Sequence, residues 1–364
     1  MRLINVKTSV IEEFFDVAIP PYAILSHTWG DDEVDFNDWQ DKPRAKTKGG
    51  YTKILTAQRQ AQSDNLEFLW VDTCCIDKRS SAELSEAINS MFVWYRDSDI
   101  CYAYHADVEH IQPQQQSKSS DAPTYDDFDI PECFSGDASS LRVRSLVRTS
   151  TNNTQVGGLS SSKWFTRGWT LQELLAPRKL EFFSGSWAFL DTKETLAVQL
   201  SEITQINVAY LTGEDVRTAS VAKRMSWASR RKTKRQEDIV YCLMGTFDVN
   251  MPLIYGEGNR AFIRLQEEIL KRSNDESIFA WSNQDSNRPF GIHQTNSELG
   301  KHCGLVAKSP RYLSGSAAII AVPEEGHQIE ATNATVLLKS LDERYLSHPN
   351  DIRRRYVRLQ ARDI

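Results

Sequence analysis

Three apolar stretches, separated by segments of helical period, dominate the first hundred residues of the chain. The first, 22–26, ends in a polar turn that contains Gly30; the second, 66–71, is a nearly unbroken apolar run; the third is 100–104. Unbroken apolar runs of this length are typical of strands in a parallel sheet that is covered on both faces. The order strand, helix, strand, helix, strand predicts parallel pairing with right-handed crossovers.

The segments between these strands have the period of amphipathic helices. One helical pattern runs around 51–61, and the clearest one in the chain begins at Ser80. Ser80 and Glu83 form an S-x-x-E pair, which is the signature of a capping box. The apolar residues that follow recur at helical spacing: Leu84, Ile88, Met91, Phe92 and Tyr95. We therefore predict one helix on each side of the second strand.

A long polar stretch divides the first part of the chain from the next ordered segment. Residues from about 111 to 162 are polar and low in complexity, and we predict a long, largely disordered insert there. The pattern of 162–176 predicts a helix that Pro177 ends, and a fourth strand follows at 179–183. Beyond this strand, helical patterns continue to about residue 285 and give way to short β-type runs.

These changes in the polar and apolar pattern predict three regions. Residues 1–190 form an α/β domain that carries the insert, 191–285 form a helical extension, and 286–364 form a small β-rich C-terminal region. The chain ends at Ile364 without an obvious terminal cap, which fits a longer parent protein.

Composition and charge exclude several classes of protein. Of the 364 residues, 40% are hydrophobic and 25% are charged, as in a globular protein. The net charge is -6, so nucleic-acid binding through bulk electrostatics is disfavoured. No apolar run reaches membrane-spanning length, and the N-terminus lacks the apolar core of a signal peptide. We expect a cytoplasmic protein with no membrane span and no nucleic-acid partner.

Several reactive residue types are better explained by structure than by chemistry. His105, His110 and Asp107 lack the spacing of a helical zinc pair, so no metal site is expected. The basic run at 230–235 is expected to be a solvated helix face. The cysteines are too sparse for a disulfide framework and are predicted to be reduced, buried thiols: Cys74, Cys75, Cys101, Cys133, Cys242 and Cys303.

The predicted helix around Trp169 holds the first candidate for chemistry. Leu171, Leu174 and Leu175 share one helical face. Trp169 and Glu173, four residues apart, share roughly the opposite face and would point away from the sheet if the leucines face it. An exposed Trp beside a Glu is unusual on a solvated surface. Two explanations stay open: a second domain covers the tryptophan, or the pair lines a ligand cleft.

The turn after the first strand is the second candidate. Doubly wound sheets bind ligands outside the carboxyl ends of their strands, at a topological switch point. Residues 26–32 lie at such an end, and so do 72–77 and 105–107. Trp29 and Gly30 could supply a stacking face and close backbone approach, although Trp-Gly turns are also common corners of a core.

Three blocks of sequence resemble the fungal heterokaryon-incompatibility (HET) domain. They are Tyr-Ala-Ile-Leu-Ser-His-Thr-Trp-Gly at 22–30, Leu-Trp-Val-Asp-Thr-Cys-Cys-Ile-Asp at 69–77, and Trp-Phe-Thr-Arg-Gly-Trp-Thr-Leu-Gln-Glu-Leu-Leu-Ala-Pro at 164–177. The blocks occur in family order, and the third is long and highly specific. The stretch 224–258 resembles the extension that often follows this domain.

The HET domain is in turn similar to the TIR domain, which implies a flavodoxin-like parallel sheet flanked by helices. Trp169-Thr-Leu-Gln-Glu173-Leu174 resembles the TIR W-x-x-x-E-L pattern, whose Glu is catalytic in NAD-cleaving members. The resemblance therefore implies that Glu173 is catalytic in cleaving the nicotinamide–ribose bond of NAD+, which is a substrate; no cofactor or metal is expected. The residues expected to bind this substrate are Ser26, His27, Trp29, Gly30, Asp72, Arg167 and Trp169.

The resemblance also implies a biological role. HET proteins are linked to self/non-self recognition and programmed cell death after fusion of unlike fungal cells, a form of innate immunity. Besides NAD+, the expected partners are further copies of the chain, whose self-association would support activity, and other incompatibility proteins. Many TIR domains are signalling adaptors, so the alternative is a non-enzymatic module that acts by self-association, with Glu173 as a structural cap.

Overall fold

A seven-stranded mixed sheet forms the centre of the computed structural model, which describes residues 1–15, 19–109, 156–281, 306–316 and 319. The strands in chain order are β1 (Arg2–Asn5), β2 (Ile11–Glu13), β3 (Tyr22–His27), β4 (Phe68–Val71), β5 (Ile100–Tyr104), β6 (Leu180–Phe183) and β7 (Phe189–Thr192).

The four central strands are parallel, as the apolar runs predict. The spatial order is β2-β1-β4-β3-β5-β6-β7, in which β3 lies between β4 and β5, and β5 pairs with β6. The chain leaves β3 for β4 on one side and then crosses to β5 on the other, so the topological switch point lies between the ends of β3 and β5. Three antiparallel strands that the sequence did not predict, β1, β2 and β7, extend the sheet on both sides.

Eleven α-helices are present in the described part of the chain. They are α1 (Phe36–Gln40), α2 (Lys42–Lys46), α3 (Tyr51–Ser63), α4 (Asp72–Cys75), α5 (Ser81–Arg96), α6 (Thr170–Leu175), α7 (Ala197–Thr204), α8 (Val208–Leu211), α9 (Val221–Ser226), α10 (Asp238–Tyr241) and α11 (Arg260–Leu270). Short 3-10 helices lie at Leu159–Ser161, Lys163–Thr166, Val216–Thr218, Met244–Phe247, Glu276–Phe279 and Pro310–Leu313. None of these helices is long and apolar enough to cross a membrane.

Helix α5 begins where the sequence predicts, although its cap differs from the expected box. The Ser80 side chain accepts the backbone N–H of Glu83, as a capping residue should. The Glu83 carboxylate does not return to Ser80; it accepts the N–H of Asp77 at 2.8 Å and pairs with Arg2. Glu83 thereby ties the start of α5 to the end of the preceding turn and to strand β1.

The single helix predicted over 162–176 is wrong, because the segment is interrupted. A 3-10 turn at Lys163–Thr166 and helix α6 flank Arg167 and Gly168, whose backbone pairs with Lys232. The Gly168 N–H donates to the Lys232 carbonyl at 2.9 Å, and a Cβ on Gly168 would lie 2.4 Å from Cγ2 of Thr233. Tertiary pairing therefore overrides the local helical pattern at this position.

Part of the predicted domain organisation falls outside the described residues. The predicted insert at 111–162 is described only from residue 156, and the predicted β-rich region at 286–364 only at 306–316 and 319. Helices α7 to α11 lie within the predicted helical extension, 191–285, and the sheet continues to Thr192. The division into three regions stays a prediction.

Candidate functional site

The carboxyl end of β3, at the switch point, holds a buried chain of hydrogen bonds. The Ser26 hydroxyl donates to Oε2 of Glu173, which arrives from α6. The indole nitrogen of Trp164 donates to the Ser26 Oγ at 2.8 Å. Ser26 is fully buried and Glu173 is 7% exposed. Two residues of the predicted site, 147 positions apart in sequence, are thus in direct contact.

The expectation that Glu173 points away from the sheet is wrong. Every residue of α6 is buried, and Glu173 reaches β3 itself. The helix lies between β3, α5 and α8, so it has no solvated face for a carboxylate to occupy. Trp169 precedes the helix and is half-buried against the core.

Burial dominates the electrostatics of Glu173. It raises the pKa of this carboxyl to about 8, against the hydrogen bond from Ser26, and the nearby charge of Asp72 adds to the rise. The guanidinium of Arg231 acts in the opposite direction. At neutral pH the carboxyl group of Glu173 is therefore protonated in most molecules.

The turn after β3 presents an aromatic face beside this buried chain. Trp29 is 42% exposed, and its Nε1 donates to Oδ2 of Asp72 at 2.8 Å. The Lys78 ammonium lies 3.6 Å from the centre of the indole ring, a cation–π contact. The Gly30 N–H donates to Oε1 of Glu33 at 2.7 Å, which fixes the turn.

Three buried polar atoms without hydrogen-bond partners lie near one another at the carboxyl ends of β3 and β4. Nε2 of His27 lies 3.8 Å from Oε2 of Glu33 and 4.0 Å from Oδ1 of Asp72, too far for direct hydrogen bonds. Burial, aided by Lys53 and Lys78, holds the pKa of His27 well below its usual value, so the ring is neutral. Buried polar groups are normally paired, so leaving these three atoms without hydrogen bonds is energetically costly.

Arg167, another predicted binding residue, contacts Arg231 and Lys232 through its backbone. Its carbonyl accepts a hydrogen bond from Nη1 of Arg231 at 2.9 Å, and its strand-like pairing with Lys232 anchors the start of α6. The predicted contacts of Arg167 and Trp169 with substrate stay predictions.

Four neighbours of the site were missed by sequence reasoning. Trp164 donates to Ser26, and Glu33 accepts from the Gly30 N–H. The charge of Lys53 lowers the pKa of His27, and Lys78 lies over the Trp29 ring. Trp164 lies inside the third quoted block, and Lys78 directly follows the second, so proximity to the blocks was the available signal.

A second cluster at the end of β5 is structural. His105 Nδ1 lies 2.7 Å from the Ser162 hydroxyl, which donates to Oδ1 of Asp107 at 2.8 Å. His105 is packed among Trp164, Phe165 and Phe182. The cluster joins the two chain segments that border 110–155. No group of His, Cys, Asp and Glu that could hold a metal is present among the described residues.

The cysteines and the basic run give one confirmed and one wrong prediction. Free, buried thiols are found at Cys74, Cys75, Cys101 and Cys242. Cys133 and Cys303 lie outside the described residues. The basic run at 230–235 is not a solvated helix face, since it lies in irregular structure between α9 and α10, and Arg231 is buried.

Comparisons with known proteins give two family matches and one curated relative. Residues 22–173 match the family described as "Heterokaryon incompatibility protein (HET)", and residues 260–357 match "Domain of unknown function (DUF8212)". The chain is 45% identical over 256 residues to "Vegetative incompatibility protein HET-E-1" of Podospora anserina. The alignment covers 70% of this chain and 16% of that protein. No solved structure matches the chain.

Proposed function

This chain belongs to the HET family through residues 22–173, and from that premise we propose that it is a heterokaryon-incompatibility effector that cleaves NAD+. The observation that supports this most is the position of Glu173. This carboxyl group lies at the switch point of a parallel sheet, bonded to Ser26 at the end of β3. Such switch points are where α/β sheets bind ligands.

Cleavage of NAD+ needs little machinery beyond one carboxylate. The bond between C1′ of the ribose and the pyridinium nitrogen breaks, and its electron pair leaves with nicotinamide, which departs neutral. Water adds to C1′ and releases a proton. Because the leaving group needs no protonation, the usual requirement for two carboxyl groups relaxes to one. The ionised Glu173 stabilises the oxocarbenium-like transition state through the ribose hydroxyls.

The surroundings of Glu173 suit the other parts of the substrate. On opening of the site, the unpartnered polar atoms of His27, Glu33 and Asp72, which are buried here, would receive ribose hydroxyls. The exposed indole of Trp29 offers a surface on which a flat ring can stack. A pyridinium cation beside Glu173 favours its ionised form and so lowers the carboxyl pKa in the complex.

The burial of Glu173 favours a second candidate function. With 7% of its surface exposed and its Oε2 bonded to Ser26, Glu173 could act only as a tie between α6 and β3. The domain would then be a non-enzymatic module that signals by self-association with further copies or other incompatibility proteins.

One assay separates the two candidates. Concentrated protein is incubated with NAD+, and nicotinamide release is followed for the wild type, Glu173→Gln and the control Glu202→Gln, whose side chain is exposed. The enzyme proposal predicts release by the wild type and the control and a loss of at least about a hundredfold in Glu173→Gln, since one preorganised group contributes on that scale. Circular dichroism checks that each variant is folded. Absence of release by the wild type at any concentration favours the module.

A further inference from the structure

A cavity of about 690 Å³ lies apart from the Glu173 site, between the segment that follows α9 and the segment that contains Pro310–Leu313. It adjoins the basic run. Its lining residues are Ala228, Arg231, Lys232, Thr233, Gln236, Ile239, Asn259, Lys308, Ser309, Pro310, Arg311, Tyr312 and Ser314. The volume lies within the range of about 300–1,000 Å³ that is usual for small-molecule sites.

The charged side chains that line this cavity are all basic among the residues that the structure describes: Arg231, Lys232, Lys308 and Arg311. None of the four forms an ion pair with another residue in the described parts of the chain. The chain as a whole carries a net charge of -6, so this local excess of positive charge runs against the overall balance. Such a concave basic surface concentrates anions.

Arg231 is the least expected member of the lining. It is 5% exposed, and its Nη1 donates to the Arg167 carbonyl and the Thr170 hydroxyl, each at 2.9 Å. Its Nη2 has no hydrogen-bond partner. Burial lowers the pKa of this guanidinium to about 10, so it is charged at neutral pH. The carboxyl group of Glu173, which acts electrostatically on Arg231, is mostly protonated at neutral pH, so the buried guanidinium charge is largely uncompensated, and an anion in the cavity would balance it.

We propose that this cavity binds a phosphate-bearing small molecule of nucleotide size. Guanidinium and ammonium groups are the usual partners of phosphate oxygens, and Arg donors fit them in pairs. The hydroxyl and amide groups of Thr233, Ser309 and Asn259 can receive the polar remainder of the ligand. This inference does not rest on NAD+ cleavage. The cavity is nevertheless linked to α6, because Arg231 holds the backbone and side chain at the start of that helix.

The test uses the full chain and isothermal titration calorimetry with three probes: ATP, adenosine and inorganic phosphate. Binding of ATP is expected, with higher affinity than inorganic phosphate, no binding of adenosine, and weakening as salt concentration rises. Lys308→Glu and Arg311→Glu, both at exposed positions, should each weaken ATP binding by roughly tenfold or more, since each removes a charged hydrogen-bond donor. Arg59→Glu, an exposed change of equal charge outside the cavity, should leave it unchanged.

Three results would overturn the proposal: no binding of ATP to the wild type, ATP affinity no higher than that of phosphate, or unchanged ATP binding in both Lys308→Glu and Arg311→Glu. Lys308 and Arg311 line the cavity and are not part of the Ser26–Glu173 contact, so weaker ATP binding in these two variants is assigned to the cavity whatever the outcome of the cleavage assay. Circular dichroism of the variants shows that any loss of binding is not a loss of fold.

Discussion

At the level of single residues, the proposed chemistry depends on the protonation of Glu173. Its carboxyl group is buried against β3 with a pKa of about 8, and its hydrogen bond to Ser26 is in turn supported by the Trp164 indole. The same burial that ties α6 to the sheet makes the ionised form costly. The stability of the fold therefore favours the neutral form of Glu173, whereas the proposed chemistry needs the ionised form.

The raised pKa of Glu173 predicts a specific dependence of stability on pH. The folded protein keeps the proton up to about pH 8, whereas the unfolded chain loses it near the ordinary value of 4.5. The contribution of Glu173 to the free energy of unfolding is thus complete below pH 4.5 and is lost as pH rises to about 8, a loss of roughly 3–5 kcal/mol. Glu173→Gln, which stays neutral, should escape this loss. Urea denaturation at pH 5, 7 and 9 measures it, and a difference between variant and wild type that does not change with pH would contradict the assignment.

At the level of helices and strands, the sequence pattern predicts those elements whose formation depends on local burial and amphipathicity. The unbroken apolar runs identify β3, β4 and β5, and the helical period identifies α3 and α5, because burial on both sheet faces and amphipathicity leave direct traces in sequence. The outer antiparallel strands β1, β2 and β7 are only three or four residues long and leave no such trace. They were not predicted.

The proximity of four residues named from the sequence follows from the sheet topology, whereas the direction of Glu173 does not. Ser26, His27, Asp72 and Glu173 do meet at one end of the sheet, because the carboxyl ends of parallel strands share an edge. The direction of Glu173 was not predictable from helical angles, since these assume one buried face and α6 is buried on every side. The partnership of Trp164 with Ser26 depends on packing between segments 138 residues apart.

Substitution of Gly245 tests how closely α5 packs on the turn at Met244–Phe247. A Cβ on Gly245 would lie 2.1 Å from Cβ of Phe92 and 2.5 Å from its Cγ, atoms too near the backbone to move aside. Gly245→Ala should therefore lower the free energy of unfolding by about 2–3 kcal/mol. Gly157→Ala, where nothing lies within 4 Å of the added Cβ, is the matched control and should change it little. Equal thermal denaturation midpoints for the two variants would refute this packing.

At the scale of the whole molecule, contacts join the HET-matched segment to the part that follows it. Asn89 in α5 exchanges two hydrogen bonds with the backbone of Met251, and Arg231 holds the carbonyl of Arg167. The predicted boundary near residue 190 is therefore crossed by partly buried hydrogen bonds. Such contacts couple the unfolding of the two parts.

This coupling predicts one cooperative unfolding transition for the sheet and helices α7 to α11. Tryptophan fluorescence reports on both parts, since Trp70 and Trp164 lie in the first and Trp227 in the second. Its urea midpoint should coincide with that from far-ultraviolet circular dichroism. Separate midpoints would show that the helical part unfolds independently.

The role of Glu173 in cleavage is tested by the pH profile of kcat/KM for nicotinamide release from NAD+, corrected for the protein-free rate. If ionised Glu173 stabilises the transition state, kcat/KM of the wild type rises about tenfold per pH unit below pH 8 and levels off above it, following the free protein's carboxyl pKa. Glu173→Gln should show no such rise and almost no release at any pH. A flat wild-type profile, or release by Glu173→Gln at the wild-type rate, would contradict the claim.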